Sequence, residues 1–339
     1  MKKLFLILFT LIVIAGIVLF LSADTLRYNF TKNALENHYD PGWLEEDGQI
    51  RVHFCGTGSP KRHSKRNQSC IVMAAGGKVF VFDAGAGAFR GIEQAGVPLD
   101  RVDQVFITHW HSDHFNGLGA LMNYTWVSGR KTPFWVHGPE GVRQITEGFN
   151  QAYELDSRYR NSHFIEHRDL AFGKPDPVTF EADTNSTVVY NEGGVTIRAW
   201  KVNHFPVTPA VGYQLQYNGK TVFYSGDTIV DDIYQPAVQG ADLVIHEAMA
   251  KHLVEDARRV AEQEGWPRRA AMLKGVQQYH SGTLEVAAMA EKAGVKKLTL
   301  THTAPEPNGL LLSFLFKQGI AKRYSGELYL AEDGMDLIL

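Results

Sequence analysis

The chain has 339 residues, 44% of them hydrophobic and 21% charged, with a formal net charge of −3. This is ordinary globular composition, enough for one large domain or two small ones. The slightly negative balance leaves no overall basic field to draw in a polyanion, so no nucleic acid is expected as a partner.

Lys2 and Lys3 precede an uncharged apolar run over residues 4–21, close to the length that spans a bilayer. With those lysines before the run and Asp24 just after it, residues 1–23 predict a signal anchor that leaves the N-terminus inside and the body outside. Leu21-Ser22-Ala23 is a mediocre cleavage site, so an uncleaved anchor is favoured over a cleaved signal that would release a secreted body. Residues 24–48 read as a juxtamembrane connector, and 49–339 as the exported body.

The body opens with strands predicted at 50–54, 71–74 and 79–82, the last ending on Asp83, with Gly56, Gly58, Gly76 and Gly77 marking turns. Cys55 and Cys70 fall at facing ends of neighbouring strands. Export permits a disulfide there, and two buried thiols fit equally well. Lys61, Arg62, His63, Lys65 and Arg66 form a basic run that either steers an anionic substrate or is a solvated loop. The turn Ala84-Gly85-Ala86-Gly87-Ala88 leads into a helix of about ten residues. Its two glycines read as close-packing positions beside the site.

A strand at 104–108 delivers the run His109-Trp110-His111-Ser112-Asp113-His114. Residues 120–190 are less regular and read as an insertion with helices near 139–153. There the aromatics and Arg130, Arg158 and Arg160 would form a substrate wall facing an anionic group. Further strands are predicted at 195–202, 211–217, 221–224 and 243–246, with a hairpin turn at Asn218-Gly219. A helix at 283–293, a strand at 298–300 and short strands at 326–330 and 335–339 complete the chain. Two strand-rich halves, each carrying helices, fit two sheets packed face to face with helices outside.

Four side chains that bind metals, crowded into six residues, repel one another if charged and gain little from burial. They make chemical sense if they share divalent cations, and nitrogen and oxygen donors suit zinc first, with manganese or iron as alternatives. His109 and His111, two apart in an extended segment, reach the same way, while Asp113 and His114 begin the next turn and can face a second ion. Two ions need more donors, and the ends of later strands offer His204, Asp227 and His302.

These ordered segments, with Val211-Gly212-Tyr213, Ser225-Gly226-Asp227-Thr228 and Leu300-Thr301-His302, resemble the metallo-β-lactamase superfamily over roughly residues 50–335. The likeness is to the branch of tRNase Z, phosphodiesterases and zinc-dependent arylsulfatases. It implies an α+β fold, a four-layer αββα sandwich of two mixed β-sheets with outer helices. It also implies that His109, His111 and His204 hold one zinc, that Asp113, His114 and His302 hold the other, and that Asp227 bridges them. His246-Glu247-Ala248 and His280-Ser281-Gly282-Thr283 resemble motifs that supply a catalytic histidine, His280, supported by Glu247. Asp113 would also orient a hydroxide shared by the two ions.

The activity expected is hydrolysis of a phosphodiester or an aryl sulfate or phosphate ester outside the cytoplasm, on a small anionic ester, by a membrane-anchored protein, with a homodimer as a candidate assembly. Acyl chemistry of the lactonase or β-lactamase type needs the same hydroxide and is an alternative. A tRNase Z-like ribonuclease is disfavoured by export, by the net charge and by the lack of a long Gly- and Lys-rich arm. A non-catalytic membrane-tethered binding protein is the remaining alternative, which two bound ions would argue against.

Overall fold

A computed structural model of the protein describes residues 2–35, 39–60, 65–163, 168–181 and 186–339. Residues 61–64 of the basic run lie outside them. The chain divides into two compact units, Met1–Tyr39 and Asp40–Leu339. The first is essentially one helix, α1 (Lys2–Leu35). Its stretch Lys3–Phe20 is long and apolar enough to cross a membrane by length and composition. The helix runs on through the first half of the expected connector. Trp43, in the second half, is 1% exposed and packs in the core of the second unit, so the body starts near residue 40 instead of 49.

Within that body the order is β1 (Arg51–Gly56), β2 (Cys70–Ala75), β3 (Lys78–Phe82), α2 (Ala88–Gln94), β4 (Val102–Phe106), α3 (Ser112–Phe115), α4 (Leu118–Val127), β5 (Phe134–Gly138), α5 (Val142–His163) and β6 (Pro175–Thr179). There follow β7 (Ser186–Glu192), β8 (Val195–Lys201), β9 (Val211–Tyr217), β10 (Lys220–Tyr224), α6 (Gln235–Val238), β11 (Leu243–Met249), α7 (Lys251–Gln263) and α8 (Pro267–Val276). The chain closes with α9 (Thr283–Lys292), β12 (Lys297–Ala304), α10 (Gly309–Phe316), β13 (Glu327–Leu330) and β14 (Asp336–Ile338).

The strands form two seven-stranded sheets, in the orders β14-β1-β2-β3-β4-β5-β6 and β13-β12-β11-β10-β9-β8-β7. Both are mixed: β3 to β6 run parallel in the first and β10 to β13 parallel in the second, with the remaining pairs antiparallel. Apolar side chains on both faces of the central strands explain this layering. In β3, Phe80 and Phe82 face the other sheet while Val79 and Val81 face the outer helices. In β10, Val222 and Tyr224 face inward and Phe223 outward. A strand covered on both sides needs a continuous apolar run, and an αββα sandwich supplies both covers. The expected fold class therefore holds.

Residues 120–190 are not an excursion from this frame. They supply β5 and β6 of the first sheet and the helices α4 and α5 that cover it. Among the described residues β6 pairs only with β5, and its Pro175 and Pro177 are tolerated because it is an edge strand. The hairpin at Asn218-Gly219 forms as expected, both residues having positive φ of 48° and 75°. Cys55 and Cys70, left open by the sequence, are joined in a disulfide.

Candidate metal centre

The site lies where the C-terminal ends of the parallel strands of both sheets meet. β4 runs into the loop carrying His109 and His111, and α3 then presents Asp113 and His114. The loop is held tightly from below. Thr108 donates from its backbone N–H and its hydroxyl to the Asp83 carboxylate, at 2.8 and 3.1 Å. A Cβ on Gly85 would meet the carbonyl oxygen of Asp113 at 2.2 Å, so only glycine lets the 84–88 turn pass beneath α3. Gly226 has φ of +58° and would set a Cβ 2.8 Å from Thr108. The backbone therefore turns at that point and presents Asp227 beside the loop.

Three further groups arrive from the second sheet. His204 follows β8, Asp227 follows β10, and His302 lies within β12 at a positive φ of 47°. All seven expected donors converge. One donor atom each of His109, His111, His204 and Asp227 lies within 4.8 Å of the others, and the same holds for Asp113, His114 and His302. His109 Nε2 is 3.0 Å from His111 Nδ1, and His204 Nε2 is 3.4 Å from the same nitrogen. Asp227 faces both groups: its Oδ2 is 3.9 Å from His109 Nε2, 3.9 Å from His204 Nε2 and 3.5 Å from His114 Nε2. Its Oδ1 is 3.4 Å from His302 Nδ1, and His302 Nε2 is 3.1 Å from Asp113 Oδ2.

The electrostatics suit a cation. Burial, helped by the neighbouring His114, holds His109 well below its ordinary pKa, and burial likewise lowers His111 and His204. These three are neutral imidazoles with lone pairs to offer. Burial opposes charge on Asp227, but the His302 and His114 imidazoles outweigh it and hold that carboxyl well below its usual range. Burial also opposes the proton on His114, yet the Asp227 and Asp83 carboxylates raise it well above its ordinary value. These buried carboxylates call for positive charge between them. A divalent ion supplies that charge. His114 Nε2 and Asp227 Oδ1 are buried without a hydrogen-bond partner, both aimed into the cluster. The donor set thus fits divalent metals of the kind this fold implies.

Supporting contacts fix the rings. Asp83 Oδ2 lies 2.7 Å from His114 Nδ1 and accepts from the Tyr224 hydroxyl at 2.7 Å. The Tyr279 carbonyl is 3.0 Å from His204 Nδ1. Asp83, completely buried with φ of +57°, is the residue the sequence reading passed over. Its signal was a carboxylate closing an apolar strand beside a glycine turn. Such contacts orient ligands and set which ring nitrogen is free.

Beside the cluster, His280 Nδ1 is 3.0 Å from Glu247 Oε1. That oxygen also accepts from the backbone N–H groups of Ser281 and Thr228, at 3.1 and 3.2 Å. Burial opposes a charge on His280, but Glu247 outweighs it and raises the imidazole to about 9. His246 of the same motif points elsewhere, its Nε2 lying 2.9 Å from the Tyr234 hydroxyl.

The expected substrate wall does not form around the arginines named for it. Arg130 is 2% exposed and donates to the carbonyls of Thr132 and Phe172. Arg158 and Arg160 pair with Glu154 and Asp156 on their own helix. Of the three, Arg130 ties the start of β5 to the segment before β6.

The model of the Metallo-beta-lactamase superfamily matches residues 64–235. Ribonuclease Z of Mycolicibacterium gilvum is 31% identical over 259 residues, 76% of this chain and 85% of that protein. Ribonuclease Z of Mycobacterium sp. (strain KMS) is 33% identical over 258 residues, 76% of this chain and 85% of that protein. Among solved structures, the short form of human tRNase Z superposes with a TM-score of 0.60 at 24% identity, covering 85% of this chain and 98% of that one. The metallo-β-lactamase fold protein YhfI from Bacillus subtilis gives 0.60 at 20% identity, covering 86% and 100%.

These findings correct two expectations. The relatives are ribonucleases, so the reading of a hydrolase for small phosphate or sulfate esters is overturned, and so is the expectation of no nucleic acid. Net charge misled because it averages over the whole surface. A polyanion meets local charge, and α8 alone exposes Arg268, Arg269 and Lys274.

Proposed function

The chain belongs to the metallo-β-lactamase superfamily, on the side that holds the ribonucleases Z, and from that premise we propose that it is a metal-dependent hydrolase that processes RNA by cleaving a phosphodiester bond. The observation that carries the reading is likeness to ribonuclease Z over three quarters of the chain, 76%, in a body that keeps every donor of the cluster and the His280–Glu247 pair.

In this reading His109, His111 and His204 hold one ion, most simply zinc. Asp113, His114 and His302 would hold a second, with Asp227 available to both groups. When bound, such a pair supplies Lewis acidity that acidifies water and neutralises charge on the non-bridging phosphate oxygens. The protein's own groups do the rest. Asp113, kept ionised mainly by its hydrogen bond from His302 against the cost of burial, accepts a hydrogen bond from the attacking water and aims it. Asp83 and the Tyr279 carbonyl keep the His114 and His204 rings turned toward the donor cluster. Glu247 holds Nδ1 of His280, leaving Nε2 to give a proton to the departing ribose oxygen. The exposed cations of α8 support contact with the RNA backbone.

The test uses the full-length protein loaded with zinc or manganese and a precursor tRNA carrying a 3′ trailer. Cleavage at one position, lost in His109→Ala, supports the proposal. Turnover of small esters with the RNA left intact at every metal loading would refute it.

We also propose that α1 tethers the body at a membrane, on the side away from Lys2 and Lys3. The support is the apolar stretch Lys3–Phe20, together with the Cys55–Cys70 disulfide, which suits an oxidising compartment. Extraction of the protein from membranes by alkaline carbonate would count against the tether.

A further inference from the structure

A cavity of about 430 Å³ opens beside His280 and His302. It runs between α7 and α8, which line it with Leu253, Val254, Met272, Leu273 and Val276. Its volume falls within the ordinary range for small-ligand sites. Among the described residues no lysine or arginine lines it, and beyond Glu247 and the two histidines the only polar side chain there is Ser59. Met272, an apolar side chain of its wall, is 58% exposed. An apolar hollow of this kind next to reactive groups stabilises whatever ring enters it, because apolar surface leaves water on both sides of the contact.

The lining also fixes which part of a substrate goes in. A phosphate finds no cation among those described residues and stays with the donor cluster. The group that enters is therefore one attached to the phosphate. His280 lines the cavity and sits where a proton would be given to the leaving oxygen, so the entering group is the one bonded to that oxygen. Resting on the ribonuclease reading, we propose that this cavity seats the base of the nucleotide that carries the leaving oxygen. It does so by shape and apolar contact with the base faces, without reading the polar edge. Methionine and leucine walls suit that task, since Met adapts to irregular shapes and every base presents a flat face. Leu253, Met272 and Val276 are then specificity-determining positions.

The experiment uses the full-length metal-loaded protein and two kinds of probe. The first is a pair of RNA substrates that differ only in whether the nucleotide on the leaving side has its base or is abasic. The second is calorimetric binding of 1-naphthyl phosphate against methyl phosphate. The expected result is a KM at least tenfold higher for the abasic RNA, and naphthyl binding at least tenfold tighter than methyl. Leu253→Trp fills the cavity and should bring both ratios below about twofold while metal content stays unchanged. Met272→Glu, at an exposed rim position that spares the fold, should reduce both ratios in the same direction. Ratios near one in the wild type, or ratios unmoved in Met272→Glu, overturn the seat. If no RNA is cut but naphthyl selectivity is present and falls in Met272→Glu, the ring seat stands and the RNA reading falls. If both RNAs are cut equally well, the reading stands and the seat falls.

Discussion

The two sheets furnish the site in different ways. The first delivers four donors on a single stretch, His109 to His114, fixed by Asp83 and by the absence of a side chain at Gly85. The second delivers three donors from three strand ends, His204, Asp227 and His302, each placed by sheet order rather than by a local turn. The contrast teaches that local sequence encodes four of the seven donors, while topology brings in the other three. Asp227 is the junction, since its carboxylate lies within 3.9 Å of His109 in one group and within 3.5 Å of His114 and His302 in the other.

Breaking the junction should have the largest effect. Asp227→Ala should reduce turnover by about a thousandfold or more and lower metal content at both positions, because it removes a shared donor and the charge that holds His114 and His302. His109→Ala should cost comparable activity but deplete chiefly one ion. Elemental analysis alongside turnover separates the two, and equal metal loss in both variants would erase the distinction between the sheets.

His280→Ala comes next. It should keep both ions and slow RNA cleavage by roughly a hundred- to ten-thousandfold, the usual worth of a placed proton donor. A substrate with a p-nitrophenolate leaving group, which needs no proton, should be slowed far less. Equal slowing of both substrates would remove the acid role.

Asp83→Asn sharpens the comparison from the first sheet's side. The amide cannot hold His114 Nδ1 and the Thr108 N–H as the carboxylate does, so metal affinity should fall about ten- to a hundredfold. Competition with a chelating dye measures this, and unchanged affinity would mean that the loop is held without it.

The smallest effect is a shift in pH dependence. Glu247 is what raises His280, so the proton it donates is retained as pH rises and is lost only on passing through the raised value. In Glu247→Gln that support is absent, and the alkaline limb of the rate profile should move to lower pH. A profile that stays in place would disconnect Glu247 from the acid.

How much of this was legible in the chain follows the same divide. The donor set was readable because few arrangements other than metal binding bring three imidazoles and a carboxylate into six residues. The central strands were readable because both faces are covered and the apolar runs are unbroken. β5 and β6 were missed, β6 because its prolines break the strand pattern and are allowed only at an edge. Asp83 was missed because its role depends on a ring that lies 31 positions away. Arg130 was misread for a related reason: residue type announces charge, but only packing shows that this guanidinium is buried against carbonyls. The substrate was misread because whole-chain charge conceals the cations gathered on α8.

The central claim is that seven side chains from two sheets hold a pair of divalent ions. Anomalous diffraction at the zinc edge, from crystals of the metal-loaded protein, tests it most directly. The account expects two peaks about 3.5–4 Å apart, one against His109, His111 and His204, the other against Asp113, His114 and His302, with Asp227 touching both. A single peak, or peaks away from Asp227, would contradict it.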